Sequence, residues 1–271
     1  MSHAEERDFF GLEKDPECKY RDALEPLPVC GDPVEETLFD SPPAWMRIED
    51  QGPTNTCAAN SGTSVLEKLA YMKSGVPVQL CRNYLYARGK QIANISGDNG
   101  CTLYGIQQAM KHHGCPPEEM WPFTKRYQPN IPPGLDEAAA QYRATKFLDT
   151  ESGYKAFRAV IGQNIGAVEF ACSWPVAFDS GYVVEEYDER GRGGHAIAAL
   201  FLSSKLDAKG QPYIWVANSH GETAQRNGWM LWSPTAIQQV CEEDEWGCFG
   251  VTDMNTPAPR RVDWVKESPF R

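Results

Sequence analysis

Apolar positions recur at near-helical spacing after Cys57: Val65, Leu66, Leu69, Ala70 and Met72 share a face, and Gly75 ends the run. A second helix fits Leu103 to His113, with Leu103, Ile106 and Met110 on one side and Gly114 as the stop. A third, Asp136 to Tyr142, follows the proline-rich loop PNIPPG. Beyond it the pattern changes. HAIAALFL (His195 to Leu202), YIWV (Tyr213 to Val216) and WMLW (Trp229 to Trp232) are short apolar runs, separated by Lys209-Gly210-Gln211-Pro212 and by the stretch from Gly221 to Gly228. They read as strands joined by turns. A helix-rich first half and a strand-rich second half predict an α+β fold in two lobes, with a cleft between them.

The N-terminal residues do not follow either period. Residues 1–39 are polar and punctuated by prolines, and the chain changes character at Ser41-Pro42-Pro43-Ala44-Trp45. The expected organisation is an extension over 1–39, a folded domain over 40–255 and a tail over 256–271. Within the domain, a helical lobe spans about 50–125 and a β-rich lobe about 126–255. The extension carries Phe9, Phe10, Leu12, Tyr20, Leu24 and Leu27, which a free polar leader has little use for. Part of it is therefore expected to lie on the domain.

Charge narrows the partners. Thirty-seven acidic residues against 26 basic ones give a net charge of −11, which argues against nucleic acid and against docking on an anionic membrane. The longest apolar run, Ala196 to Leu202, is seven residues, too short to span a bilayer. The start MSHAEERDFFGLEKD has no apolar core and is not a secretory signal, so a cytoplasmic location is expected. The nine cysteines are odd in number and scattered, which favours free thiols, Cys241 and Cys248 included, and leaves room for a nucleophile. His112, His113 and Cys115 read as a polar helix end rather than a zinc site, since adjacent helical histidines point apart.

Three local features carry chemistry. Cys57 opens the first helix after the turn Asp50 to Thr56, where unpaired N–H groups and the helix dipole favour a thiolate. His195 follows Gly193 and Gly194, whose small size leaves room for a substrate or a thiol beside the imidazole. Asn218 ends the YIWVA run and could accept the second imidazole proton, fixing the ring as the third member of a triad does.

With these residues in order, the chain resembles the papain-like cysteine peptidases over about residues 40–255. Gln51 lies six positions before Cys57, His195 lies 138 residues after it and Asn218 161 after it. The spacing expected to the His and Asn is roughly 130–150 residues. The entry SPPAWMRIEDQG, the segment Asp98-Asn99-Gly100 and the run Met120-Trp121-Pro122-Phe123 add to the likeness. The resemblance implies a helical lobe and an antiparallel, barrel-like β lobe with the site in the cleft. It implies peptide-bond hydrolysis through an acyl-enzyme on Cys57, with His195 as acid and base and Asn218 orienting it. Gln51 and the Cys57 N–H would form the oxyanion hole, and Gly100 and Gly194 would line the substrate groove. No metal or cofactor is implied, and the partner is a polypeptide. An N-terminal propeptide that crosses the cleft in the reverse sense to substrate is also implied, so that 1–39 could act as a latch on a zymogen. A thiol amidase or isopeptidase, or an inactive binding module, would share this fold.

Departures from the family pattern are local. Asn55 stands where glycine is usual, and its tolerance of left-handed backbone makes it an expected substitute. Thr54 replaces a framework cysteine. His220 replaces the tryptophan that shields the His–Asn bond in the family, so a wetter bond is expected.

Overall fold

The computed structural model describes residues 11–14, 21, 24–27, 35–162, 166–175, 178, 181–188, 191, 193–243 and 246–257. Helix α1 (Cys57–Ser74) stops at Gly75, which adopts φ +68° and returns its N–H to the Tyr71 carbonyl. Helices α2 (Arg82–Ala93) and α3 (Leu103–His112) pack beside it, and Gly114 (φ +80°) ends the α3 segment. Helices α4 (Leu135–Ala140), α5 (Tyr154–Gly162) and α6 (Pro234–Glu243) follow.

The strands are β1 (Leu38–Phe39), β2 (Ala144–Asp149), β3 (Ala167–Ser173), β4 (Val183–Val184), β5 (Gly194–Leu206), β6 (Pro212–Ala217), β7 (Trp229–Trp232) and β8 (Cys248–Met254). They form one sheet in the order β2-β8-β3-β5-β6-β7-β4, with β1 pairing parallel to β5. Among the described residues the sheet is open rather than closed into a barrel, because β2 and β4 end it without meeting. Residues 38 and 39, read from the sequence as the end of the extension, belong to this sheet.

Burial on both faces explains the unbroken apolar run of β5. Ala196, Ala198 and Leu200 join the core shared with α1, α2 and α3, whereas Ile197, Ala199 and Leu202 join the core shared with α5 and α6. Alanines on the first face let α1 come close to the sheet. That packing carries the start of α1 to the head of β5.

The approach buries α1 from Cys57 to Ala70, polar residues included. Each buried polar group then needs a partner, since leaving one unmade costs ~1–3 kcal/mol. Asn60 bonds back to the Thr56 carbonyl at 2.8 Å, and Ser61 donates to Glu169 of β3 at 2.6 Å. Lys68 donates to the carbonyls of Gly166 and Leu200 at 2.6 and 2.5 Å, which bolts the helix to the sheet. Glu67 accepts the Leu80 N–H at 2.8 Å.

Candidate active site

Cys57 is the first residue of α1. Thr56 at the cap makes no side-chain cap bond, so the N–H groups of the first turn stay free of one. The backbone N–H groups of Ala196, Gly11 and Ala58 lie beside the Cys57 sulfur and favour its ionised form. One comes from the head of β5, one from the N-terminal extension and one from the helix itself.

His195 is the second residue of β5 and is wholly buried. Its Nε2 bonds Asn218 Oδ1 at 2.8 Å, and Nδ1 makes no hydrogen bond among the described residues. Asn218 follows β6 and is itself fixed, its Oδ1 also accepting the Ser219 N–H at 2.8 Å. The bond is dry, contrary to the expectation from the absent tryptophan: His195 and Asn218 are 0% and 3% exposed. Trp174, just past β3, supplies the cover, packing edge-on to His195 at 4.6 Å and to His220 at 5.4 Å between centroids.

Gln51 reaches the site because residues 49–51 pair with 219–221. The Gln51 N–H meets the Ser219 carbonyl at 2.8 Å, and the Gly221 N–H meets that of Glu49 at 2.9 Å. The Gln51 side chain is buried; Oε1 accepts from Ser219 Oγ at 2.6 Å and Nε2 donates to the Thr54 carbonyl at 2.7 Å. That uses one of its two amide protons. Thr54 donates to the Gln51 carbonyl at 2.7 Å and bonds Thr56 at 2.8 Å, so hydroxyls brace this turn where a disulfide could not form. Asn55 is not left-handed: its φ is absent from the positive values. Instead its side chain donates to the Asp98 carbonyl at 2.6 Å, tying the turn before Cys57 to the segment that leads into Gly100.

Between the walls lie residues 11–13 of the extension. The Leu12 N–H meets the Gly194 carbonyl at 3.3 Å, the Glu13 N–H meets that of Cys101 at 3.0 Å, and the Cys101 N–H meets that of Gly11 at 2.9 Å. Leu12 thus pairs antiparallel with Gly194 and parallel with Cys101. Gly100 makes none of these bonds. With φ +81°, it keeps the wall clear, since a Cβ there would stand 2.2 Å from the Gly11 oxygen. The backbone partner is its neighbour Cys101, which the Asn-Gly spacing places one residue early. Gly194 is hemmed in by the Trp246 ring on one side, and Lys14 of the extension lies over that ring at 5.1 Å. Further along, the Glu25 backbone bonds Phe147 and Asp149 at 2.9 and 2.8 Å, extending the sheet beyond β2. Phe9, Phe10 and Tyr20 lie outside the described residues, as do residues 258–271.

Burial controls protonation here. It pushes the Cys57 thiol up to about 11, against the pull of the three N–H groups. It brings His195 down to about 3, assisted by the charge of His220 and opposed by the bond to Asn218. With the extension across the cleft, the pair stands as neutral thiol and neutral imidazole. Glu169, wholly buried on β3 beneath α1, is pushed up to about 8 by the same cause and is also neutral at pH 7. No group of three or more metal-ligating side chains occurs among the described residues, and His112 simply bonds Gln108 at 3.0 Å.

The model of the papain family cysteine proteases matches residues 40–246. The chain belongs to that family. Among solved structures it is similar to xylellain, a cysteine protease from Xylella fastidiosa, at 16% identity over 87% of this chain and 97% of that one, with a TM-score of 0.63. It is similar to procathepsin B S9 from Trypanosoma congolense at 18% identity over 94% and 90%, with a TM-score of 0.68. Procathepsin L 3 of Tenebrio molitor larval midgut aligns at 14% identity over 90% and 76%, with a TM-score of 0.64. No curated protein matches the chain.

Proposed function

We propose that this cysteine peptidase cleaves polypeptides through Cys57, His195 and Asn218, and that residues 11–13 hold it latent. The observation that carries the reading is the buried 2.8 Å bond from His195 to Asn218, set at the head of β5 where the neighbouring Ala196 N–H meets the Cys57 sulfur. In that arrangement His195 has Nδ1 left for a thiol proton. Cys57 attacks the scissile carbonyl, His195 protonates the leaving amine, and water then releases the acyl group with His195 as base. The Cys57 N–H and the second Gln51 amide proton serve the oxyanion.

The backbone bonds that hold Leu12 define how an extended peptide would lie, between Cys101 and the Gly194 carbonyl. Latency follows from orientation. The group of Gly11 that meets the sulfur is its N–H, while its carbonyl is turned to Cys101. The Gly11 carbonyl is therefore held by Cys101 and is not presented to Cys57 for attack.

The test is to treat the full chain and the Gly11→Val variant with an epoxysuccinyl-type thiol inhibitor and locate the adduct by mass spectrometry, alongside hydrolysis of a small peptide amide. An adduct on Cys57, faster in the variant, supports both parts. Labelling spread over the other cysteines, with no hydrolysis by either protein, overturns the peptidase reading. Equal rates in the two proteins overturn the latch.

A further inference from the structure

His220 stands where the family has a shielding tryptophan, and its surroundings are not those of a filler. Its ring lies 4.9 Å from that of His195, tilted by 34°, and both rings meet the same Trp174. The Asn218 side chain bridges the two histidines. Oδ1 takes the His195 Nε2 proton at 2.8 Å, while Nδ2 lies 3.1 Å from His220 Nδ1 and 3.1 Å from Gln225 Oε1.

An amide nitrogen only donates, so His220 Nδ1 must be the bare nitrogen of a neutral ring. A proton added there would set donor against donor. Flipping the Asn218 amide does not relieve this. Its nitrogen would then face the His195 Nε2 proton and the Ser219 N–H, and its oxygen would face Gln225 Oε1. Gln225 cannot follow freely, because its own Nε2 is committed to the Phe178 carbonyl at 2.9 Å.

We propose that His220 is a positioning residue whose neutral form locks Asn218 onto His195 and whose protonation unlocks it, setting the acid limit of catalysis. This rests on the reading of Cys57, His195 and Asn218 as the triad. A charged His220 also opposes the imidazolium that His195 must become, so both consequences act in one direction. Charged or titratable groups at this loop include His195 from β5, Asp50, and the loop's own Glu222 and Arg226, the last lying over the rings of Tyr182 and Trp215. The Asp50 backbone bridges to His220 and its carboxylate lies against Gly221, where Lys125 holds it at 2.5 Å. Lys125 offsets the attraction of Asp50 for a proton on His220.

The test uses the full chain with Gly11→Val as the parent, so that the cleft is open, and reads the rate of Cys57 alkylation by iodoacetamide, located by mass spectrometry, from pH 4 to 9. In His220→Gln the side-chain oxygen can still accept from Asn218 but cannot titrate. The acid midpoint should fall by about 0.5 unit or more, with the neutral plateau within about threefold of the Gly11→Val parent. In His220→Phe, which lacks the acceptor, the plateau should drop about tenfold. An acid midpoint unmoved in His220→Gln, with Cys57 the fastest-alkylated cysteine in the Gly11→Val parent, overturns this proposal and leaves the triad intact. Cys57 alkylation that does not slow in His195→Ala overturns the triad reading, and this proposal with it. A measurement without substitution guards against misfolding: nitrogen NMR of the imidazoles at neutral pH should show His220 with a bare Nδ1. A proton on that atom overturns the lock.

Discussion

The Cys101 N–H holds the Gly11 carbonyl at 2.9 Å across the cleft, on the far side from the sulfur that the Gly11 N–H meets. Gly11 is therefore held through its own backbone on two sides, toward Cys57 and toward Cys101.

Gly11 fits only because it has no side chain. A Cβ there would stand 2.1 Å from the Asn55 carbonyl oxygen, which is main chain and cannot swing aside. Overpacking of this kind costs ~1–3 kcal/mol, so Gly11→Val should weaken the latch roughly 5–150-fold. Hydrolysis of a small peptide amide by the full-length variant should rise accordingly. A rate no higher than wild type, in a protein with unchanged circular dichroism, would contradict the latch.

The protonation state should follow the latch. With the extension in place, burial holds the thiol up at about 11 and His195 down at about 3, so the ion pair is absent at pH 7. Gly11→Val admits water and should bring the ultraviolet absorbance of a thiolate that the wild-type chain lacks. Cys57→Ala in the same background should remove it. Equal absorbance in latched and unlatched proteins would count against burial as the control.

Asn218→Ala removes the acceptor for a charged imidazole. Hydrogen bonds to charged groups contribute ~1.5–3 kcal/mol, so kcat/KM should fall roughly 10–150-fold. With Gln51 as the proposed oxyanion donor, Gln51→Ala is expected to lose about 10²–10³ in kcat. Measured in the Gly11→Val background, either loss below threefold would remove that residue from the machinery.

Glu169 gives a stability prediction with a defined sign. Its folded pKa is raised to about 8 from 4.5, so the folded state holds a proton that the unfolded state has released between those values. Its contribution is full below pH 4.5 and is lost as pH rises through 8. Glu169→Gln keeps an oxygen for Ser61 and has no proton to lose. Relative to wild type it should gain roughly 1–3 kcal/mol between pH 5 and pH 8, read from urea midpoints. A constant difference between the two pH values would show that Glu169 does not titrate with folding.

Helices α1 and α3 and strands β5, β6 and β7 are legible in the sequence because their apolar runs are long and bounded by glycine or proline. Helix α2 is not. Arg82 and Lys90 are buried there, and a sequence reading takes charge as a sign of exposure. Arg82 pairs with Glu49 and Glu118, and Lys90 lies over the rings of Tyr86 and Tyr127. Strand β3 hides in the same way behind Glu169, which is wholly buried. In the site, Cys57, His195 and Asn218 stand out by residue type and order. Cys101 meets the extension through its main chain, which leaves no trace in residue type, whereas the resemblance points to its neighbour Gly100. The role of Gly11 depends on a contact with Asn55, 44 positions away, that no local pattern encodes.

The alanines on the inner face of β5 have a consequence for how this enzyme can vary. Ala196 and Ala198 join the core shared with α1, so larger side chains there should push α1 off the sheet and move Cys57 away from His195. Ala199, one residue on, faces the other core and bears on no such gap. A library randomised at 196, 198 and 199 and screened for turnover should return small residues at the first two positions and a wider choice at the third. Selection for a rate would thus act as selection for a dimension, at positions that carry no chemistry.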